Sequence, residues 1–198
     1  MIELITKTKK YHKQCRTLIA CLCFFVAVPS AYSLPNVSKH HQIMAGLLLH
    51  LTSFTQWQKQ DKDQVILCIL GDDPFKQYIN DMVKSRPKNR LGQLIVVKRP
   101  ETMRNAHIRT CNIIYIDPEQ IDSLWSELPK QHNILLVSHD ESFISQGGMI
   151  NFVRDNNKVK LEVNLPAVLA ANLKLSSALL KHAKVIPGTP HHFTSEEE

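Results

Sequence analysis

The stretch Gln146-Gly-Gly-Met-Ile-Asn-Phe-Val-Arg-Asp-Asn-Asn-Lys-Val-Lys-Leu-Glu-Val-Asn-Leu165, continued by Pro166-Ala-Val-Leu-Ala-Ala-Asn-Leu-Lys-Leu-Ser-Ser-Ala-Leu-Leu180, decides the reading of the chain. Its first half reads as a hairpin. Met149 to Arg154 is strand-like, Asp155-Asn156-Asn157 is turn chemistry, and Lys158 to Asn164 alternates apolar and polar residues. Val159, Leu161 and Val163 share one face, and Lys158, Lys160, Glu162 and Asn164 the other. Asn164 is placed to cap a short helix through Ala171, with Pro166 in its first turn and Asn172 as a left-handed stop. Leu175, Leu179 and Ala183 at helical spacing predict a second helix.

Upstream of this stretch, strands and helices alternate. His40 to Trp57 reads as a helix with Ile43, Leu47, Leu51 and Phe54 on one stripe, and Trp57 is expected in the core rather than as a partner anchor. Gln64 to Leu70 is a continuous apolar run, the pattern of a strand covered on both faces. Pro74 then opens a helix carrying Phe75, Ile79 and Met82. Leu94 to Val97, Asn112 to Ile116 and Asn133 to Val137 are further strands. Between the last two, Asp117-Pro118 starts a helix with Ile121, Leu124, Trp125 and Leu128 inward and Pro129 at its end. The fold class is therefore α/β: a mainly parallel sheet flanked by helices, with a C-terminal antiparallel hairpin and two C-terminal helices.

The N-terminal end reads as an export signal. Lys7, Lys9, Lys10, Lys13 and Arg16 precede an apolar run from Leu18 to Val28, and Ala31 and Ser33 form a small-x-small exit. A run of about 11 residues is short for a membrane span, which needs roughly 20. Residues 1–33 are thus expected to be a cleaved signal peptide, residues 34–186 a single domain, and residues 187–198 a disordered tail. Leu18-Ile19-Ala20-Cys21 is similar to a lipoprotein box but has almost no apolar core ahead of it. The leader carries five basic residues and one acidic one, so the net charge of +6 falls to +2 without it. That balance gives no reason to expect nucleic-acid binding.

Export also sharpens the cysteine reading. Cys15, Cys21 and Cys23 leave with the leader, and only Cys68 and Cys111 stay. Two cysteines in an exported domain form a natural disulfide pair, although each lies in or beside an apolar strand and would also suit a buried thiol.

Three segments together resemble one known family. Gly147-Gly148-Met149-Ile150, the strand pair ending Val163-Asn164-Leu165, and Leu173-Lys174-Leu175-Ser176-Ser177 are similar to the C-terminal signature of the YfiR family. Cys68-Ile-Leu-Gly-Asp-Asp-Pro-Phe75 and Phe54-Thr-Gln-Trp57 resemble further motifs of that family. The resemblance implies a periplasmic protein that binds the periplasmic domain of an inner-membrane diguanylate cyclase and holds it inactive, lowering cyclic-di-GMP and biofilm formation. It implies no catalysis, no cofactor and no metal. A homodimer is expected by the same resemblance, with an outer-membrane lipoprotein as a competing partner. It supports the Cys68–Cys111 bond, and a second cysteine pair common in such proteins is missing from this chain. The implied partner surface is the C-terminal hairpin with its adjoining helices: Gly147, Gly148, Met149, Ile150, Phe152, Glu162, Asn164, Lys174 and Ser176. Ile150 and Phe152 are read as apolar groups beside Glu162 and Asn164, like an interface core with orienting contacts. The alternative is that both pack under a neighbouring helix.

Two readings of another class stay open. Asp72 and Asp73 follow the first parallel strand, Asp117 the third and Ser138 the fourth, so all four converge at the carboxyl edge of the sheet. A small-ligand sensor would use a cleft there. A receiver-like phosphoprotein would use Asp72, Asp73 and Asp117 with magnesium. The competing account makes these aspartates turn and helix-cap residues. Of the 10 histidines, His40-His41 and His191-His192 are adjacent pairs, unlike the i, i+4 spacing of a metal pair. His139 with Asp140 is acid–base chemistry without a nucleophile motif.

Overall fold

The computed structural model describes residues 37–58, 63–101, 106–122, 133–156 and 158–187. The leader, the tail from residue 188 and the expected helical positions Leu124, Trp125, Leu128 and Pro129 lie outside the described residues. Helix α1 (Lys39–Phe54) starts where Ser38 Oγ accepts from the His41 amide at 3.3 Å. It is followed by β1 (Thr55–Trp57), β2 (Gln64–Leu70), α2 (Lys76–Ser85) and β3 (Leu94–Lys98). Then come a short 3-10 turn (Ala106–Thr110), β4 (Ile113–Ile116), a second one (Pro118–Gln120) and β5 (Leu135–Ser138). The C-terminal part holds β6 (Ile150–Asp155), β7 (Lys158–Asn164), α3 (Leu165–Ala170), β8 (Leu173–Leu175), α4 (Ser177–Leu180) and β9 (Ala183–Ile186).

The main sheet has the order β3-β2-β4-β5-β6-β7-β9. From β3 to β6 all neighbours are parallel; β7 runs antiparallel to β6, and β9 parallel to β7. The chain thus winds outward in two directions from β2, and the expected α/β architecture is present. Every residue of β4 and β5 is buried, as is β2 from Val65 to Leu70. Burying one such Ile or Leu contributes about 1.5–3 kcal/mol, so these three strands are the centre of the core. Cys68 on β2 and Cys111 just before β4 form a disulfide with a Cα–Cα distance of 5.9 Å.

Two expectations about helices are corrected. The first helix stops at Phe54 rather than running to Trp57, because Thr55–Trp57 pairs antiparallel with β8 in a separate two-stranded sheet. Trp57 is buried, and its indole N–H donates to the Asn112 carbonyl at 3.1 Å. The spacing Leu175, Leu179, Ala183 does not make one helix either. Two C-terminal helices exist, but α4 has only four residues and lies between strands β8 and β9. Asn164 does cap α3, accepting from the Ala167 amide at 3.1 Å, and Asn172 is left-handed with φ 58°.

Candidate functional site

The hairpin β6–β7 is the first candidate, and its register differs from the sequence expectation. Asp155 pairs with Lys158, so only two residues separate the strands rather than the three of an Asp155-Asn156-Asn157 turn. Asn156 adopts a left-handed φ of 52°, as such tight turns require. Changing the turn by one residue exchanges the faces of the facing strand. Ile150 therefore stands opposite Val163, and Phe152 opposite Leu161. All four side chains are buried on one face. Ile150 and Phe152 do not form an apolar surface beside Glu162 and Asn164; they are core.

The other face of the hairpin carries a polar row. Ser138, Asn151, Glu162 and Lys184 are successive register neighbours across β5, β6, β7 and β9. Ser138 Oγ donates to the Ile116 carbonyl at 2.8 Å, and Lys184 donates to Glu162 Oε1 at 2.9 Å. Asn151 is 1% exposed, and its Oδ1 finds no hydrogen-bond donor among the described residues. The sequence pattern does not reveal this row, because Lys184 joins it only through the pairing of β9 with β7.

The remaining expected partner residues divide by burial. Gly147, Gly148, Met149 and Asn164 are buried. Gly148 is required sterically, since a Cβ there would meet the buried Phe143 ring at 2.4 Å. Ser176 Oγ caps α4, accepting from Leu179 at 3.2 Å. Glu162 is partly exposed and Lys174 exposed, which leaves these two as the solvent-facing charges of the set. Leu169 and Val185 nearby in sequence are about half exposed, at 54% and 47%.

The second candidate lies at the carboxyl edge of the parallel strands. Here the aspartates act as caps and ion-pair partners. Asp73 Oδ1 accepts from the Phe75 amide, while Asp73 Oδ2 binds Arg99 at 2.8 Å. Asp117 Oδ1 accepts from Glu119, and Asp72 pairs with Lys76 at 3.1 Å. Gly71, with φ 88°, is where the loops after β2 and β4 touch: a Cβ would lie 2.6 Å from Asp117 Cβ. Among the described residues, no group of three or more His, Cys, Asp or Glu is placed to hold a metal ion.

Beside these aspartates the fold brings His139 to the adjacent pair His40–His41. His40 and His41 open α1, and His139 follows β5. The His41 ring meets His139 edge-on at 6.4 Å between centroids. Tyr115, buried on β4, stacks on His139, and its hydroxyl lies 2.5 Å from His139 Nδ1. Burial first, then Asp117, Asp73 and Asp72, hold the phenol well above its usual value, so it keeps its proton. A protonated phenol can donate to a bare Nδ1; charging the ring would turn that acceptor into a donor. Burial lowers all three imidazole pKa values, with further lowering by neighbouring imidazoles at His40 and His139 and by Arg154 at His40 and His41. Asp72 opposes the shift at His41, and Asp117 and Asp140 oppose it at His139. His139 thus meets Tyr115 and the other histidines, and its sequence neighbour Asp140 instead accepts from Ser142.

Fold and site together define a doubly wound α/β domain extended by an antiparallel hairpin, with Asp72, Asp73 and Asp117 engaged in caps and ion pairs. The chain matches the YfiR/HmsC-like family over residues 41–184 and belongs to it. That family is regulatory rather than catalytic, and its role is periplasmic regulation of diguanylate cyclase. No curated protein matches the chain. Among solved structures it is similar to one described as the crystal structure of the ABC domain in complex with L-Trp from Streptococcus pneumonia, with 13% identity and a TM-score of 0.43. The alignment covers 74% of this chain and 60% of that one, so this chain spans under two thirds of that protein. A likeness at that score carries no functional argument.

Proposed function

We propose that this protein is a periplasmic repressor that binds the periplasmic domain of an inner-membrane diguanylate cyclase and lowers cyclic-di-GMP. The observation that carries the reading is the family match over residues 41–184, which takes in the hairpin and β8. Repression is then a difference in affinity: the protein binds the inactive cyclase conformation better, since equal affinity for both would shift nothing. The partner surface is the C-terminal hairpin and the elements after it. Glu162 and Lys174 meet the partner directly. Gly147, Gly148, Met149, Ile150, Phe152 and Asn164 hold the frame from inside, and Ser176 holds α4. Export through cleavage near Ser33, a homodimer and competition from an outer-membrane lipoprotein complete the reading.

The receiver-like alternative loses support from the engagement of its carboxylates, since Asp73 and Asp117 are helix-start acceptors and Asp72 and Asp73 are ion-paired. Biolayer interferometry between the exported protein and the periplasmic domain of a diguanylate cyclase from the same genome tests the proposal. Saturable binding, weakened by combined Glu162→Lys and Lys174→Glu changes, is expected. Failure to bind every such domain of that genome overturns it.

A further inference from the structure

A cleft of about 430 Å³ opens between α1, α2 and the loop after α2. Its apolar lining is Gly46, Leu49, Met82 and Ile95, and its basic lining is His50, Arg86, Lys88 and Arg90. Its volume falls in the range of small-molecule sites, roughly 300–1,000 Å³, and Ser53, Ser85 and Asn89 add neutral polar groups to the lining, which is about as polar as it is apolar.

The charge around the cleft is one-sided. Between Asp81 and Glu101 the chain has six cations and no acidic residue. Three of them are not in its lining: Lys84 is in the last turn of α2, Arg99 pairs with Asp73, and Lys98 reaches Thr110. Arg86, Lys88 and Arg90 make no ion pair among the described residues, whereas Lys76, Arg99, Lys160 and Lys184 each do. One cation at the end of each helix would be explained by the helix dipole. Three cations without an ion pair among the described residues, gathered around one cleft, are more than that explanation needs.

The basic loop is also held in place. Asn89 Nδ2 donates to the Thr52 carbonyl at 2.9 Å, and the Arg90 amide donates to Ser53 Oγ at 3.2 Å. The Arg90 guanidinium lies over the Phe54 ring, 5.6 Å from its centroid. These contacts fix the loop, and the Arg90 guanidinium with it, against the end of α1.

Gly46 supplies an independent observation. It lies inside α1, where glycine is less favourable than alanine. No steric reason requires it: an added Cβ would meet only Met82 Cε, at an ordinary 3.9 Å. What the missing side chain does is leave the floor of the cleft open.

We propose that this cleft binds a small organic anion, with an apolar body on the Gly46–Leu49–Met82 floor and a carboxylate, sulfonate or phosphate among Arg86, Lys88 and Arg90. Charge-assisted hydrogen bonds to two guanidinium groups would fix its orientation. The site shares no lining residue with the C-terminal partner surface, and its test does not depend on that surface.

The test is a fluorescence titration of the exported protein with anilinonaphthalene sulfonate and with its uncharged parent, N-phenylnaphthylamine. The sulfonate should bind saturably, one per chain, and roughly tenfold more tightly than the uncharged parent. Gly46→Leu, which fills the floor, and the Arg86→Glu/Arg90→Glu pair, which reverses the rim, should each weaken sulfonate binding by about tenfold or more. The charge-reversed pair is at the surface, so it decides the matter if Gly46→Leu does not fold. Absence of saturable binding overturns the proposal, as does equal affinity for the uncharged probe or unchanged affinity in the charge-reversed pair.

Discussion

Phe152 stands directly across the β6–β7 ladder from Leu161, and both side chains are buried on the face that also holds Ile150 and Val163. Phe152→Ala should therefore act on stability first. Removing a buried phenylalanine costs about 3–5 kcal/mol through lost transfer energy and the cavity left behind. A thermal melt followed by circular dichroism should show a large fall in Tm. An unchanged Tm would mean that Phe152 is not core in solution.

The disulfide gives a second prediction. Cys68 and Cys111 are 43 residues apart, and closing a loop of that length removes denatured-state entropy worth about 4 kcal/mol in the chain-entropy model. Replacing both cysteines with alanine should lower stability toward that amount. Peptide mapping of unreduced exported protein should recover a peptide linking Cys68 to Cys111. Recovery of both cysteines as free thiols would count against the bond.

The histidine cluster predicts a pH dependence. His40, His41 and His139 titrate below their ordinary value of 6.5 in the folded chain, chiefly through burial. As pH falls through about 6.5 the unfolded chain takes up protons that the folded chain refuses. Stability is therefore lost below about pH 6.5, until the lowered folded-state values are passed. Arg154 strengthens the effect, while Asp72, Asp117 and Asp140 reduce it. Tm should fall between about pH 7.5 and 5.5, and combined His40→Gln, His41→Gln and His139→Gln changes should flatten that slope. Equal slopes in both proteins would assign the acid response to other groups.

What the sequence made legible was local. Gln64–Leu70 reads as a buried strand because its apolar run is continuous, and the Asn164 cap and Asn172 stop come from side-chain chemistry within a few residues. What it hid was long-range. Leu173–Leu175 is a strand only because Thr55–Trp57 pairs with it from the far end of the domain. Ala183–Ile186 is a strand only because β7 offers an edge. The faces of Ile150 and Phe152 turned on one residue of turn length, which composition around Asp155-Asn156-Asn157 does not determine. The His40, His41 and His139 cluster joins segments about 100 residues apart; only the topology brings a helix start to the carboxyl edge of β5.

The measurement that tests the account most directly is cellular cyclic-di-GMP after deletion of this protein and after its return. Deletion should raise the nucleotide, and the unaltered protein should bring it back down. The Glu162→Lys/Lys174→Glu pair, matched in periplasmic level and in Tm, should fail to do so. Cyclic-di-GMP that stays the same on deletion, with the cyclase expressed, would contradict the account.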